Sequence, residues 1–221
     1  MENGSGAVPV SNPLFLLAHG WAGAPGIWTA LVGHLQDAGI PAEDIRHWDQ
    51  GYFGAADEPV LPPGRPVIGI GHSLGVALLL GRGGLAGLLA INGFSRFTAQ
   101  ADFPAGTPPR LLAQMRRRFA ADPAAVLADF TARAGLPLPS GAADNDRLGQ
   151  GLQWLAEIDH RAAPLPPLFH ALAGLDDPIV TQAHSEACFP NRVEWLPGGH
   201  ALPLTAARAC AAAALNFAAS C

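Results

Sequence analysis

Short apolar runs alternate with longer amphipathic stretches along most of the chain, the sequence form of a parallel sheet wrapped in helices. Leu14 to Ala18 is too short for a core helix and reads as a strand buried on both faces. A helix is expected from Ile27 to Ala38, closed by Gly39. Ile45 to Trp48, Val67 to Ile70 and Leu88 to Ile91 read as further strands, with a helix starting over Leu74 to Leu80. Leu168 to Ala171 and Val193 to Trp195 follow as strands, with a helix over Gln182 to Cys188 between them. A last helix is expected from Thr205 to Ala218.

Between Phe94 and Arg161 the alternation stops. Three helical patterns replace it, at Pro109 to Ala121, Pro123 to Ala134 and Asn145 to Ile158. Pro109 and Pro123 stand where a first helical turn tolerates proline, and Asp122 is suited to cap the second helix. An all-helical insertion in an α/β chain predicts a lid over the strand ends.

With 221 residues, 49% hydrophobic and 14% charged, the chain can fill one core and is not disordered. A single domain over 1–221 is expected, with the insert at 94–161. No apolar run is long enough to span a membrane, and Met1 to Pro13 lacks the basic and apolar parts of a signal peptide. A cytoplasmic protein is therefore expected. The net charge of −5 argues against nucleic acid as a partner. All 13 basic residues are arginine. Cys188, Cys210 and Cys221 fit no metal spacing and read as two buried thiols and a terminal one. With no CxxC, HExxH or P-loop, neither a metal nor a nucleotide cofactor has support.

The chemistry starts at Gly71-His72-Ser73-Leu74-Gly75, directly after one apolar strand and directly before an apolar helix. A serine nucleophile must project from a tight turn, and flanking glycines let neighbouring backbone pass close by. In a glycine-rich chain the bare pattern is a weak signal; its strand-turn-helix setting strengthens it. Such a serine needs a base, and the base an orienting acid, in the chain order Ser, Asp, His. Asp177 follows the Leu168 strand, and His200 follows the Trp195 strand. Asp176 is the alternative acid, and a solvated turn would also explain the Asp176-Asp177 pair. Oxyanion donors are expected from the backbone N–H groups of Leu74 and Trp21. His19 is expected to pin the Trp21 loop, and His72 to pack.

These residues resemble the α/β-hydrolase superfamily: the His19-Gly20-Trp21 opening, the Gly71 to Gly75 elbow, and the loops of Asp177 and His200. Within it the chain is most similar to the pimeloyl-acyl-carrier-protein methyl ester carboxylesterases of biotin synthesis. Asn92 to Arg96 with Asp102 to Pro104, the helical insert, and Gly151 to Leu155 before Asp159 to Arg161 carry that likeness. The resemblance implies an α/β-hydrolase fold, a mostly parallel central sheet flanked by helices, with an all-helical lid inserted in it. Two departures are expected: the leading β-hairpin is short or missing, and the crossover from Asp49 to the Val67 strand has no room for a helix.

The implied activity is that of a serine carboxylesterase needing no cofactor. It would cleave the methyl ester of an acyl chain delivered on acyl carrier protein. The insert supplies a place for such a partner. Arg110, Arg116, Arg117 and Arg118 lie on one helix with no acid between Gly106 and Ala121. Leu111, Leu112, Met115 and Phe119 form the opposite, apolar face. The arginines read equally as a carrier or phosphate dock and as a solvated face near a helix C-terminus. Trp21, Leu112, Met115 and Phe119 are the expected pocket. A general short-chain esterase or thioesterase, and a non-catalytic ligand-binding relative, stay as alternatives.

Overall fold

Side chains alternate across each strand, and that alternation sorts the core into two layers. Phe15 and Leu17 face one side with Ile68, Ile70, Leu89 and Ile91; Leu14, Leu16 and Ala18 face the other with Leu88 and Ala90. These residues belong to strands β1 (Leu14–Ala18), β3 (Val67–His72) and β4 (Gly87–Ile91). With β2 (Ile45–Trp48), β5 (Leu168–Gly174) and β6 (Val193–Leu196) they form one six-stranded sheet in the order β2-β1-β3-β4-β5-β6, parallel throughout. The computed structural model describes residues 12–220.

Helices cover both faces. Leu31 and Leu35 of α1 (Thr29–Asp37) meet Cys210, Ala211 and Ala214 of α8 (Ala207–Ala218) over the Phe15 face. Val76, Leu79 and Leu80 of α2 (Leu74–Arg82) pack on the Leu14 face. Gly69 of β3 lets α2 sit close, because a Cβ there would lie 3.0 Å from Leu85 and 3.3 Å from Leu79. The remaining helices are α3 (Pro109–Ala121), α4 (Pro123–Ala134), α5 (Asn145–Glu157), α6 (Gln182–Cys188) and the single turn α7 (Leu202–Thr205).

The expected strands and helices are all present, with shifted ends. The first helix opens as a 3-10 turn at Pro25–Trp28, where Pro25 fits the first turn, and becomes α-helical from Thr29. The last one is split at Ala206 (φ −130) into α7 and α8, and starts at Leu202 rather than Thr205. β5 runs on to Gly174 because that residue has no Cβ to strike the Gly198 and Gly199 carbonyls. Asp122 caps α4 as expected, accepting from the Ala125 N–H at 3.0 Å.

The link from β2 to β3 contains no helix; a pair of backbone bonds between Asp49 and Asp57, at 2.8 and 2.9 Å, folds it. The expected loss of the leading hairpin falls on residues 1–11, outside the described residues, as do the reading of the first residues as no signal peptide and the terminal Cys221. Cys210 is buried as expected, and burial pushes its thiol up to about 12. Cys188 is only half-buried, because its helix face is shared with solvent. Among the described residues no helix is long and apolar enough to cross a membrane.

Two features position the site. First, β1 lies between β2 and β3, so the chain leaves it in one direction and returns on the other side. At such a switch point the strand ends diverge and leave a crevice at their carboxyl edge. Second, α3, α4 and α5 all fall between β4 and β5, and a knot of charges closes their neck. Arg96 donates to Asp159 at 2.9 Å, and Arg161 donates to Asp159 at 2.8 Å and to Asp102 at 3.0 Å.

Candidate active site

Each residue singled out for chemistry lies just beyond the carboxyl end of a strand. Ser73 follows β3 and takes φ 54 and ψ −121, a left-handed conformation that an L-residue adopts only under constraint. The constraint is close packing. A Cβ on Gly71 would come within 2.8 Å of the Val76 backbone, and one on Gly75 would collide with the Ala18 carbonyl. Both motif glycines are therefore required by the approach of α2 to β1 and β3.

Behind the serine stands a buried acid–base pair. His200 Nδ1 lies 2.8 Å from Asp177 Oδ2. The other oxygen, Oδ1, accepts the backbone N–H groups of Ile179 at 2.7 Å and Val180 at 2.9 Å. Burial pushes the Asp177 carboxyl up, but the hydrogen bond and charge of His200 and those two N–H groups outweigh it and hold it below the usual value. Asp176, the alternative acid, is exposed and turns away, its N–H donating to the Gly198 carbonyl. Since a carboxylate accepts only, His200 Nδ1 carries the proton and Nε2 holds the lone pair. That Nε2 is buried and has no partner among the described residues.

The loop after β1 lies against the serine: a Cβ on Gly20 would stand 2.8 Å from the Ser73 Cβ. Gly23 N–H closes the loop on Gly20 O at 3.1 Å, with Ala22 at φ 56. His19 pins it, Nδ1 being 2.9 Å from Gly20 O and Nε2 3.1 Å from Asp49 Oδ1. The Trp21 backbone thus comes beside Ser73. Leu74 opens α2, and the first N–H groups of a helix have no partner within it. His72 is packed under the pair, with Nε2 2.8 Å from the His200 carbonyl. Burial first, and then neighbouring His200, push its imidazole down to about 3, so it is neutral.

The expected pocket is only half realised. Leu112 and Met115 line a cavity of about 520 Å³ between the insert and the acid loop, with Phe97, Val126, Phe130 and Ile179, but Ser73 and His200 are not part of its wall. Trp21 and Phe119 do not line it. The Trp21 indole donates to the Leu148 carbonyl at 2.9 Å and meets Phe130 and Phe119 edge-on, with ring centres 4.8 and 6.2 Å apart, so both rings are spent on packing. Leu111 lines the cavity although 49% exposed. Tyr52 also packs: it is fully buried, edge-on to His19 at 5.8 Å.

Nor do the four arginines form one patch. At ~100° per residue, Arg116 and Arg118 point ~160° apart. Arg118 stands at the cavity and pairs with Asp129 at 2.6 Å, whereas Arg116 borders a separate groove beside Asp146. Arg110 and Arg117 are exposed on the outer side.

One participant was missed in the sequence. Asn92, at the end of β4, is fully buried with φ 47, and its Nδ2 donates to Asp177 Oδ2 at 2.7 Å. The signal was there in Asn92-Gly93 at a strand end, since asparagine tolerates the left-handed region better than most residues.

A six-stranded parallel sheet whose switch point carries this serine elbow, with acid and histidine on later strand ends, is the α/β-hydrolase fold. Chemically it is equipped for acyl transfer through a serine. Solved structures share the fold: an esterase from Exiguobacterium antarcticum (TM-score 0.74, 16% identity, 95% of this chain and 92% of that one). BioG from Haemophilus influenzae does so at a TM-score of 0.55 and 18% identity, covering 87% of this chain and 90% of that one. In sequence, the chain is similar to the biotin biosynthesis bifunctional protein BioHC of Cellvibrio japonicus, 29% identical over 197 residues, 76% of this chain. It spans 39% of that protein's length. No family model matches the chain.

Proposed function

We propose that the chain is a serine carboxylesterase acting through an acyl-enzyme. The carrying observation is the buried His200–Asp177 pair at 2.8 Å, which leaves His200 Nε2 free on a loop whose carbonyl is bonded by His72, the residue before the strained Ser73. Ser73 Oγ attacks the ester carbonyl while His200 Nε2 takes its proton. The Leu74 and Trp21 N–H groups receive the oxyanion. His200 returns the proton to the departing alcohol, and a water then attacks the acyl-enzyme, with His200 again as base. Asp177 stays ionised and fixes the tautomer throughout.

The finer reading is a methyl ester on an acyl chain carried by acyl carrier protein. Its support is the BioHC relative, the cavity beside the acid loop, and the arginines of α3. Arg110 and Arg117 face outward, where an acidic carrier can meet them, and Arg118 stands at the cavity mouth. The free thiols of Cys188 and Cys210 support a cytoplasmic setting.

Hydrolysis of a methyl-ester acyl-carrier substrate beside a p-nitrophenyl ester tests both levels, using the wild type and Ser73→Ala. Cleavage of both by wild type alone, with the carrier substrate preferred, is expected. Cleavage of the small ester alone leaves a general esterase or thioesterase. Full activity in Ser73→Ala overturns the mechanism.

A further inference from the structure

The catalytic loop around His200 is not held by Asp177 alone. Its two successive carbonyls are each gripped by a buried side chain from a different strand end. Asn92, beyond β4, donates from Nδ2 to the Gly199 carbonyl at 3.3 Å and to Asp177 Oδ2 at 2.7 Å. His72, the last residue of β3, is placed with Nε2 2.8 Å from the His200 carbonyl. Both orientations follow from chemistry. A carbonyl accepts only, so His72 Nε2 carries its proton, and an Asn92 oxygen facing Asp177 would oppose two acceptors.

We propose that Asn92 and His72 form a clamp that positions the His200 base, with Asn92 tying the acid and base loops together. The proposal rests on the serine-esterase reading above. Asp177 Oδ2 is shared between His200 Nδ1 at 2.8 Å and Asn92 Nδ2 at 2.7 Å, so the amide sets where on the carboxylate the imidazole bonds. The grip is rigid because Asn92 is itself fixed: its N–H donates to the Leu172 carbonyl at 2.8 Å, and its φ is 47. Neither residue needs to touch substrate; both are positioning residues. An amide donor on Oδ2 also draws charge from the carboxylate, which moderates its pull on the His200 proton. The other titratable groups facing this pair are His72 itself, His19 from the loop after β1 and, from α6, His184, whose imidazole burial pushes down.

The test compares Asn92→Gly, which suits φ 47 but removes the amide, with Asn92→Asp, His72→Leu and His72→Gln. Two readouts are used: kcat and KM on a p-nitrophenyl ester, and the rate of labelling by a fluorophosphonate. Loss of one hydrogen bond to a charged group predicts a kcat some ten- to a hundredfold lower in Asn92→Gly with little change in KM. The acid limb of its kcat/KM profile moves to higher pH, because a less satisfied carboxylate holds the imidazolium more strongly. In Asn92→Asp the two buried carboxyls share one proton, so the introduced group keeps a donor on Oδ2 and the limb moves less than in Asn92→Gly. His72→Leu loses kcat, and His72→Gln, which keeps an N–H donor, recovers most of it. Asn92→Gly with wild-type kcat and acid limb, or His72→Gln as slow as His72→Leu, overturns the clamp. Failure of the wild type to be labelled, or equal labelling of Ser73→Ala, instead overturns the esterase reading, and the clamp falls with it.

Discussion

The rim of strand ends and the helical insert meet across the candidate site, and different forces hold them. On the rim, directional bonds hold the side chains around Ser73: His200 by Asp177, Asp177 by Asn92, Ile179 and Val180, and His72 by the His200 carbonyl. In the insert, Phe119, Val126, Leu148, Leu152 and Leu155 form an apolar cluster that reaches down to Trp21 and Leu74. The charges on α3, α4 and α5 stay outside. One bond joins insert to acid loop directly, from Arg133 to the Pro178 carbonyl at 2.7 Å. Directional bonds fix atoms to within tenths of an ångström, as proton transfer demands, whereas apolar packing tolerates repacking of equal volume. On the proposed esterase reading, proton transfer would fall to the rim and the choice of acyl group to the insert.

The largest expected effect lies where the rim is tightest. Gly75→Ala places a methyl group on the Ala18 carbonyl, against backbone on both sides that has nowhere to move. Unlike an overpacked core side chain, which costs ~1–3 kcal/mol, this collision forces α2 away from β1. The variant should be largely insoluble or lose its cooperative thermal transition. A well-folded, active Gly75→Ala would show that the rim yields as the insert does.

The same division explains what could be read from the chain. The helices of the insert were legible to within a residue, because Pro109, Asp122 and Pro123 mark their ends by purely local rules. That Asp177 rather than Asp176 bonds His200 was legible through its place before Pro178. Where the insert helices lie on the body was not, because an apolar face specifies burial but not its partner. Trp21 shows the cost: by sequence it belongs in the pocket, yet its ring is taken up by Leu148, Phe119 and Phe130, contacts over about a hundred residues of chain. Asn92 was missed for a related reason. Its role depends on a neighbour 85 positions away.

A pH dependence of stability comes next in size. His72 is held neutral, with its pKa pushed down to about 3 by burial and by His200, below the unfolded value of ~6.5. The folded state therefore binds fewer protons than the unfolded chain in that window. The stabilisation is complete above ~6.5 and is lost as the pH falls from there toward about 3, at up to ~1.4 kcal/mol per pH unit. Urea midpoints measured at pH 7.5, 5.5 and 4.5 should fall, and should fall less steeply in His72→Gln. An unchanged slope would place the acid sensitivity elsewhere, with His184 or His47, which burial also lowers.

Changes in the insert should show in selectivity. Met115→Trp fills part of the cavity, and the space for one or two methylenes is worth ~1–3 kcal/mol of discrimination. In a p-nitrophenyl ester series, kcat/KM for long acyl chains should drop about tenfold or more relative to acetate. A uniform loss across chain lengths would mean that the cavity does not hold the acyl group.

The smallest effect is expected at Arg118, and it gives the sharpest contrast with the rim. Its pair with Asp129 is short, at 2.6 Å, yet the two side chains are 55% and 62% exposed. Water solvates both partners when they separate, and holding two long side chains together costs entropy, so such pairs contribute ~0–1 kcal/mol. A double-mutant cycle of Arg118→Ala and Asp129→Ala, read by urea unfolding, should give a coupling within that range that shrinks in 0.5 M salt. The His200–Asp177 pair is barely longer, at 2.8 Å, but wholly buried, so neither partner regains water when the other is removed. If the Arg118–Asp129 coupling exceeds ~1 kcal/mol and resists salt, the insert is held by charge as the rim is, and docking a carrier on α3 would have to break a structural bond.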